Sequence, residues 1–207
     1  MGLVGANGVG KSTLLRILVG LNTGFQGDVM VNNIPLEKKN LKTIRKNVGY
    51  VFQDADSQLF MSTVFDDVAF APRNYGMSEA EVNEKTMEAL KVVHIEQLKD
   101  KQIYKLSGGE KKLASIATIL STEPDVILMD EPSVALDPKN RRNLINILNR
   151  LNQAKIIASH DLNMIMDTCE RTILLSDGKI IKDGNTKEIL LDKELMEESG
   201  LELPLGY

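Results

Sequence analysis

The sequence predicts an α/β fold in which helices cover both faces of a mostly parallel sheet. Short apolar segments of strand length alternate with segments whose apolar residues recur at helical spacing. Between residue 54 and about residue 106 only helical patterns occur, which indicates an inserted helical subdomain. Hydrophobic residues make up 43% of the 207 residues, a composition that suits one globular domain.

The predicted strands are short runs rich in Val, Ile and Leu, bounded by Gly, Asn or Asp. In chain order they cover residues 1–4, 28–31, 48–52, 125–129, 156–158, 172–175 and 179–182. The Asn32-Asn33 pair predicts a turn after the second strand. Asp177-Gly178 lies between the last two strands and predicts that they form a hairpin.

The predicted helices carry apolar residues on one face. The first predicted helix follows residue 10. The second, third and fourth cover residues 41–46, 63–71 and 78–93, and the fifth and sixth begin at residues 107 and 138. Pro72 predicts the end of the third helix, and Ser78 with Glu81 predicts a capping box for the fourth. The apolar faces comprise Leu14, Leu15, Ile17, Leu18 and Leu21 in the first helix, Leu113, Ile116, Ala117 and Leu120 in the fifth, and Leu144, Ile147, Leu148 and Leu151 in the last.

Four residues with useful chemistry directly follow predicted strands. They are Gly5, Gln53, Asp130 and His160. Because the carboxyl ends of parallel strands meet at one edge of a sheet, we expect these residues to line one site.

The segment Gly5–Thr13 fits the pattern G-x-x-x-x-G-K-S/T, which forms a polyphosphate-binding loop between a strand and a helix. Its glycines (Gly5, Gly8 and Gly10) and Asn7 would let backbone N–H groups face phosphate oxygens at a helix N-terminus. Lys11 would reach the β- and γ-phosphates, and the Ser12 hydroxyl would ligate Mg²⁺. A glycine turn that precedes a lysine by chance is the alternative, but the flanking strand and helix disfavour it.

Asp130 and Glu131 end an apolar strand, as carboxylates of a Mg²⁺ site do. Asp130 would bind the ion through water, and Glu131 would orient and deprotonate an attacking water. Without the phosphate-binding loop, a solvated turn would be the better interpretation. His160 could hydrogen-bond the γ-phosphate, or it could be only a polar residue at a strand end. His94, in the helical insert, is expected to be structural.

Ser107, Gly108 and Gly109 precede a helix, and a simple N-cap is the first interpretation. A glycine-rich helix start is also an anion-binding site of the same kind as the first. Two such helix starts in one chain suggest that two copies pair head to tail and complete each other's sites.

Composition excludes several classes of function. The net charge of −4 provides no basic field for nucleic acid. No apolar run approaches the length of a membrane span and no signal-like segment follows Met1, so we expect a chain that neither crosses a membrane nor is exported. The single cysteine, Cys169, excludes an internal disulfide.

Together these motifs resemble those of ABC-transporter ATPases. The matching segments are the Walker A loop at Gly5–Thr13, the Q-loop glutamine Gln53, the signature at Leu106–Glu110, Walker B at Val126–Glu131, the D-loop at Ala135–Asp137 and the switch histidine His160. The segments 51–60 and 63–72 resemble the energy-coupling-factor type, also called cobalt-type, which drives uptake of metal ions such as cobalt or nickel, or of vitamins.

The resemblance implies a P-loop NTPase fold with residues 1–53 and 107–207 as a RecA-like core and about 54–106 as the helical subdomain. It implies ATP and Mg²⁺ as cofactors, a second ATPase protomer and a transmembrane subunit as partners, and attachment to the cytoplasmic face of the membrane. It also implies individual roles at the nucleotide: Thr13 helps hold the α-phosphate, Ser107 and Gly109 contact the γ-phosphate held by the partner, and Glu131 is the general base. Asp137 would link the two sites across the dimer. Gln53 would sense the metal and the attacking water while contacting the membrane side, and Asp56 would meet arginines of the transmembrane subunit. For Asp56 the alternative is a solvated surface carboxylate.

The sequence departs from the family pattern at Ala55, where proline is usual, and at Leu113, where a basic residue is common. Family members carry strands and an adenine-stacking aromatic residue before the Walker A loop, whereas this sequence begins four residues before Gly5. Either this start is internal to a longer gene product, or the protein is a shortened form. From this we expect a truncated antiparallel β part, an unpaired strand at 28–32, weak preference for adenine and low stability. A soluble ABC ATPase acting on DNA or ribosomes, and a regulatory module that no longer hydrolyses ATP, remain alternatives.

Overall fold

The computed structural model describes residues 1–206. Its strands are β1 (Gly2–Gly5), β2 (Met30–Val31), β3 (Ile34–Pro35), β4 (Val48–Val51), β5 (Val126–Asp130), β6 (Ala154–Ala158), β7 (Arg171–Ser176) and β8 (Lys179–Asn185). Its α-helices are α1 (Lys11–Leu18), α2 (Leu41–Asn47), α3 (Val64–Asn74), α4 (Glu79–Val92), α5 (Gly108–Leu120), α6 (Pro138–Arg150), α7 (Leu162–Thr168), α8 (Thr186–Leu190) and α9 (Lys193–Glu198).

The main sheet has six strands in the order β4-β5-β6-β1-β7-β8. The first five strands in this order, including β1, are parallel to one another. The last strand, β8, pairs antiparallel with β7. Asp177 and Gly178 connect these two strands with φ angles of 49° and 72°, the left-handed pair that a tight hairpin turn requires. The predicted mostly parallel sheet is confirmed.

Two apolar clusters cover the two faces of this sheet. Leu3 packs in a cluster with Leu15 of α1 and Ile44 of α2. The next residue, Val4, belongs to the other cluster, which includes Leu144 of α6. Successive side chains of a strand point to opposite faces, so the sheet is buried on both sides, as the apolar strand sequences predicted.

The inserted segment is helical, as predicted. Between residues 54 and 106 the structure contains α3 and α4 and no strand apart from an isolated bridge between Thr63 and Gln102. Both helices pack against α5, which also contacts β4. The helix that begins after Ser107 therefore joins the insert to the sheet.

The prediction that Pro72 ends the third helix is wrong, because α3 continues to Asn74. Proline cannot donate the hydrogen bond to the carbonyl four residues earlier, here that of Val68. The Ser121 hydroxyl donates to this carbonyl oxygen over 2.9 Å. A side chain distant in sequence thus satisfies the acceptor that the proline leaves open.

Two predictions in the first part of the chain are also wrong. The strand at 28–31 is reduced to β2, and it does not lack a partner, since it pairs antiparallel with β3 through the Asn32-Asn33 turn. Asn32 and Asn33 have φ angles of 48° and 61°, which asparagine tolerates better than most residues. In the first helix, Leu14 is 37% exposed, and Leu21 lies beyond the end of α1 and is 50% exposed, so neither belongs to a buried face.

Within residues 1–206, every helix is too short or too polar to cross a membrane.

Candidate functional site

The loop between β1 and α1 forms one wall of an open cleft of about 460 Å³. The cleft is lined by Asn7, Gly8, Gly10, Lys11, Ser12, Thr13, Gln53, Glu131, Val134 and His160. Gly8 and Gly10 have φ angles of 83° and 106°, a conformation that residues with a Cβ rarely adopt, and nothing lies within 4 Å of where their Cβ atoms would be. The loop therefore presents bare backbone to the cleft.

Lys11 lies buried at the first position of α1. Its Nζ donates hydrogen bonds to the carbonyl oxygens of Gly5 at 2.7 Å and Ala6 at 3.2 Å. Burial lowers the pKa of Lys11, while the charges of Glu131 and Asp130 act in the opposite direction. The ammonium group is thus held across the loop.

Asp130 at the end of β5 is 1% exposed, and both of its carboxylate oxygens accept hydrogen bonds. Ser12 Oγ donates to Oδ1 over 2.7 Å. Tyr50 Oη donates to Oδ2 over 2.9 Å. The Ser12 hydroxyl and the Asp130 carboxylate are therefore in direct contact at the base of the loop.

These oxygens suit Mg²⁺. No group of three or more His, Cys, Asp or Glu residues within the described chain could hold a metal ion by itself. Mg²⁺ is commonly bound by one or two protein oxygens together with the phosphates of a nucleotide, and it prefers oxygen ligands. The contact between Ser12 and Asp130 fits an ion that arrives with a nucleotide.

Glu131 and His160, which also line the cleft, form a close pair. Glu131 Oε2 lies 2.8 Å from His160 Nδ1 and accepts hydrogen bonds from the His160 backbone N–H at 3.2 Å and from Ser159 Oγ at 3.1 Å. The Glu131 side chain is 9% exposed, whereas that of His160 is 58% exposed. A buried carboxylate is therefore fixed by the segment that carries an exposed imidazole.

Gln53 also lines this cleft. Its position depends on Lys112, whose Nζ donates to the carbonyl oxygens of Phe52 at 3.0 Å and Gln53 at 2.6 Å. Lys112 is 3% exposed, and burial lowers its pKa to about 8, with Asp54 and Asp130 acting in the opposite direction. Gly5, Gln53, Asp130 and His160 thus meet at one edge of the sheet.

The second glycine-rich turn does not line this cleft. Ser107 caps α5 in a capping box, with the Ser107 N–H donating to Glu110 Oε2 over 2.7 Å. A Cβ on Gly109 would lie 2.6 Å from Asn140 Nδ2, and Asn140 in turn is held by Asp137 at the start of α6. The Ser107–Gly109 turn and Asp137 are therefore neighbours, and the turn lies outside the cleft that the loop between β1 and α1 lines.

The segment after Gln53 is ordered by local hydrogen bonds. Asp54 caps the turn at Ala55–Ser57, and Asp56 is 63% exposed and forms an ion pair with Lys111 Nζ. Gln58 accepts a hydrogen bond from the Phe52 N–H over 3.0 Å and donates to Ser115 O over 2.7 Å. Asp56 is therefore presented at the surface.

Two further positions, Leu113 and His94, can be compared with the expectations from the sequence. Leu113, one of the two departures from the family pattern, is 8% exposed and lies in the apolar core. His94 follows the end of α4 with a φ of 59°, a helix-ending conformation that fits the structural role expected for it.

Sequence reasoning did not assign roles to Tyr50, Lys112 or Ser159. A tyrosine in a fully buried strand needs a partner for its hydroxyl, which was a usable signal for Tyr50. For Lys112 and Ser159 no local pattern distinguishes them from ordinary helix and strand-end residues.

Comparison with known proteins identifies the family. A family model described as ABC transporter matches residues 1–134. The chain belongs to the ABC transporter family. It is an ATP-binding subunit and an ATPase, so the predicted fold class, family and activity are confirmed.

Individual relatives agree with this assignment. The energy-coupling factor transporter ATP-binding protein EcfA of Carboxydothermus hydrogenoformans is 42% identical over 98% of this chain and 76% of its own length. The structure of cbiO1 from Clostridium perfringens, described as part of the ABC transporter complex cbiONQ, matches with a TM-score of 0.84 and 36% identity over 95% of this chain and 81% of that one. A dimeric post-hydrolysis structure of the ATP-binding cassette MJ0796, bound to ADP and Pi, matches with a TM-score of 0.79 and 30% identity over 89% of this chain and 84% of that one.

Proposed function

We propose that this ATPase is the ATP-binding subunit of an energy-coupling-factor importer. It hydrolyses ATP in a head-to-tail dimer and drives uptake of a metal ion (cobalt or nickel) or a vitamin through a transmembrane partner at the cytoplasmic face of the membrane. The likeness to EcfA and to cbiO1 along almost the whole chain supports this type over other ABC ATPases.

The observation that carries the dimer mechanism is the separation of the two glycine-rich helix starts. The phosphate-binding loop faces Gln53, Glu131 and His160, whereas the Ser107–Gly109 turn lies outside that cleft. Each is an incomplete anion site at a helix N-terminus. A second protomer in head-to-tail orientation would place its Ser107–Gly109 turn over the nucleotide held by the first loop.

Within this site the residues of the chain have separate tasks. The loop amides and Lys11 hold the phosphates, and Ser12 and Asp130 would hold Mg²⁺, which neutralises phosphate charge when it is bound. Glu131 takes the proton of the attacking water. Hydrogen bonds from the 159–160 segment fix its carboxylate, so it is positioned before the nucleotide arrives.

Glu131→Gln tests the assignment of the base. We expect ATP turnover to fall by at least about a hundredfold, the range typical of general base catalysis, while MgATP still binds and produces a stable dimer. Phosphate release and light scattering after size-exclusion chromatography measure the two properties. Turnover near the wild-type value would refute the role of Glu131, and an ATP-loaded variant that stays monomeric would refute the dimer.

Asp56→Asn tests the membrane partner. Co-expression with the transmembrane subunit of an energy-coupling-factor importer from the same organism should give a complex that Asp56→Asn weakens, because the proposed carboxylate partner of the arginines is lost. Glu84→Gln, a neutralisation of an exposed acid on α4, is the matched control. Equal recovery of the complex with both variants would refute the contact at Asp56, and recovery of nucleic acid instead of a membrane protein would favour the soluble alternative.

A further inference from the structure

The switch histidine is exposed, so its position needs an explanation. The His160 side chain is 58% exposed and has little packing of its own, yet its Nδ1 lies 2.8 Å from Glu131. Its place must therefore depend on the backbone at either side. On the N-terminal side that anchor is Ser159, which is fully buried and donates to Glu131.

On the C-terminal side the anchor is an ion pair between α6 and the residue after His160. Arg141 donates from Nε to Asp161 Oδ2 over 2.5 Å and from Nη2 to Oδ1 over 2.7 Å. The two side chains are only 30% and 19% exposed. Bidentate, partly buried pairs of this kind are stronger and more directional than surface ion pairs.

Asp161 connects Arg141 to Ser159, the residue that hydrogen-bonds to Glu131. Its carboxylate caps α7 by accepting the Met164 N–H over 2.9 Å, and its own N–H donates to Ser159 Oγ over 3.0 Å. Burial would raise the pKa of Asp161, but the hydrogen bonds from Arg141 and Met164 outweigh it and lower the pKa. The carboxylate is thus held as an acceptor between the two helices.

Arg141 itself is rigidly placed. Its backbone N–H donates to the Asp137 carbonyl over 2.9 Å in the first turn of α6. The same helix buries Leu144, Ile147 and Leu148 in the core. Because α6 is anchored in the core, the Arg141 guanidinium has a defined position and can fix the position of Asp161.

We propose that Arg141 is a positioning residue for ATP hydrolysis: through Asp161 it holds the segment 159–161 so that His160 and Glu131 keep their mutual geometry. This inference rests on the proposed roles of Glu131 and His160. The Arg141 guanidinium is bonded to Asp161 and not to Glu131. It acts by fixing the residue that follows the switch histidine.

Arg141→Lys tests the inference because lysine keeps the charge but not the two parallel hydrogen bonds. We expect kcat for ATP to fall between about tenfold and about a hundredfold, as for a misplaced catalytic group, with KM and nucleotide affinity changed by less than about twofold. Arg142→Lys, an exposed neighbour on α6, is the matched control and should behave as wild type. Wild-type kcat in Arg141→Lys with normal folding would overturn the inference.

A second measurement separates positioning from a general loss of stability. In an Asp161→Ala background, Arg141→Lys should reduce kcat by less than about twofold further, because Arg141 acts through Asp161 and residues that act as one unit are not additive. A full additional tenfold loss there would overturn the inference, since Arg141 would then act independently of Asp161. If Glu131→Gln keeps wild-type turnover, the proposed function fails first; if it is inactive and Arg141→Lys is normal, only this inference fails.

Discussion

Lys112 provides a quantitative test of how the segment around Gln53 is held. Replacing it with methionine keeps an unbranched side chain of similar length and removes the ammonium group. The loss leaves the carbonyl oxygens of Phe52 and Gln53 without the donor that now lies 3.0 Å and 2.6 Å from them. Lys105→Met, at an exposed position, is the matched control.

The magnitude follows from the change in pKa. Burial lowers the pKa of Lys112 from 10.5 to about 8. At about 1.4 kcal/mol per pKa unit, the charged form is therefore destabilised in the folded state by roughly 3 kcal/mol. This free energy sets the size of the pH-dependent part of the difference in stability between wild type and Lys112→Met.

The contribution of Lys112 to the free energy of unfolding depends on pH. Because the folded pKa lies below the unfolded value, the unfolded chain binds more protons between pH 8 and 10.5. The free energy of unfolding contributed by Lys112 is therefore constant below about pH 8 and rises as the pH increases towards 10.5. Lys112→Met lacks this rise, so wild type should become more stable than the variant by up to roughly 3 kcal/mol.

Urea unfolding of the nucleotide-free protein in EDTA, repeated from pH 7 to pH 10, measures this difference. All other ionisable groups are the same in the two proteins, so only the difference between wild type and variant is interpreted. Lys105→Met should track wild type at every pH. A wild-type minus Lys112→Met difference that stays constant within about 0.5 kcal/mol would refute the account of Lys112 as a buried, charged anchor.

Two further predictions follow from hydrogen bonds to buried acceptors. Tyr50→Phe removes only the hydroxyl that donates to Asp130 over 2.9 Å, and it should lower the free energy of unfolding by about 1.5–3 kcal/mol, measured by urea unfolding. An unchanged stability would show that Asp130 does not depend on this donor. Ser121→Ala removes the donor to the Val68 carbonyl that Pro72 leaves open and should cost about 1–3 kcal/mol. In a Pro72→Ala background the same change should cost less, and an equal cost would contradict the explanation of why α3 continues past its proline.

The sheet and the main cleft were predictable because their signals are local. The apolar strands and the polar residues that follow them are visible in the sequence, and strand ends of a parallel sheet must meet. The small β2–β3 hairpin was harder to predict, since a two-residue strand with a proline in its partner has almost no pattern.

What escaped sequence reasoning depends on contacts between distant residues. Pro72 is a helix breaker by every local rule, and only Ser121 makes it acceptable. Lys112 and Arg141 look like surface residues of amphipathic helices, because burial of a long cation depends on which acceptors the fold places nearby. The Ser107 turn gives the same sequence signal whether it is only an N-cap or also binds phosphate.

One face of α5 has a mechanical consequence for the whole subunit. Lys111, Ser115, Thr118 and Ser121 follow one another at helical spacing, and each is bonded to the inserted segment at Asp56, Gln58 or Val68. These hydrogen bonds and the ion pair attach the segment 56–68 to α5 along most of the helix.

Ser107 is the N-cap residue of this helix. In the proposed dimer it would contact the phosphate that the other subunit binds. If that contact tilted α5, the exposed Asp56 would move with the helix as part of the same rigid unit. Events at the nucleotide would then reach the surface without any unfolding of the segment between them.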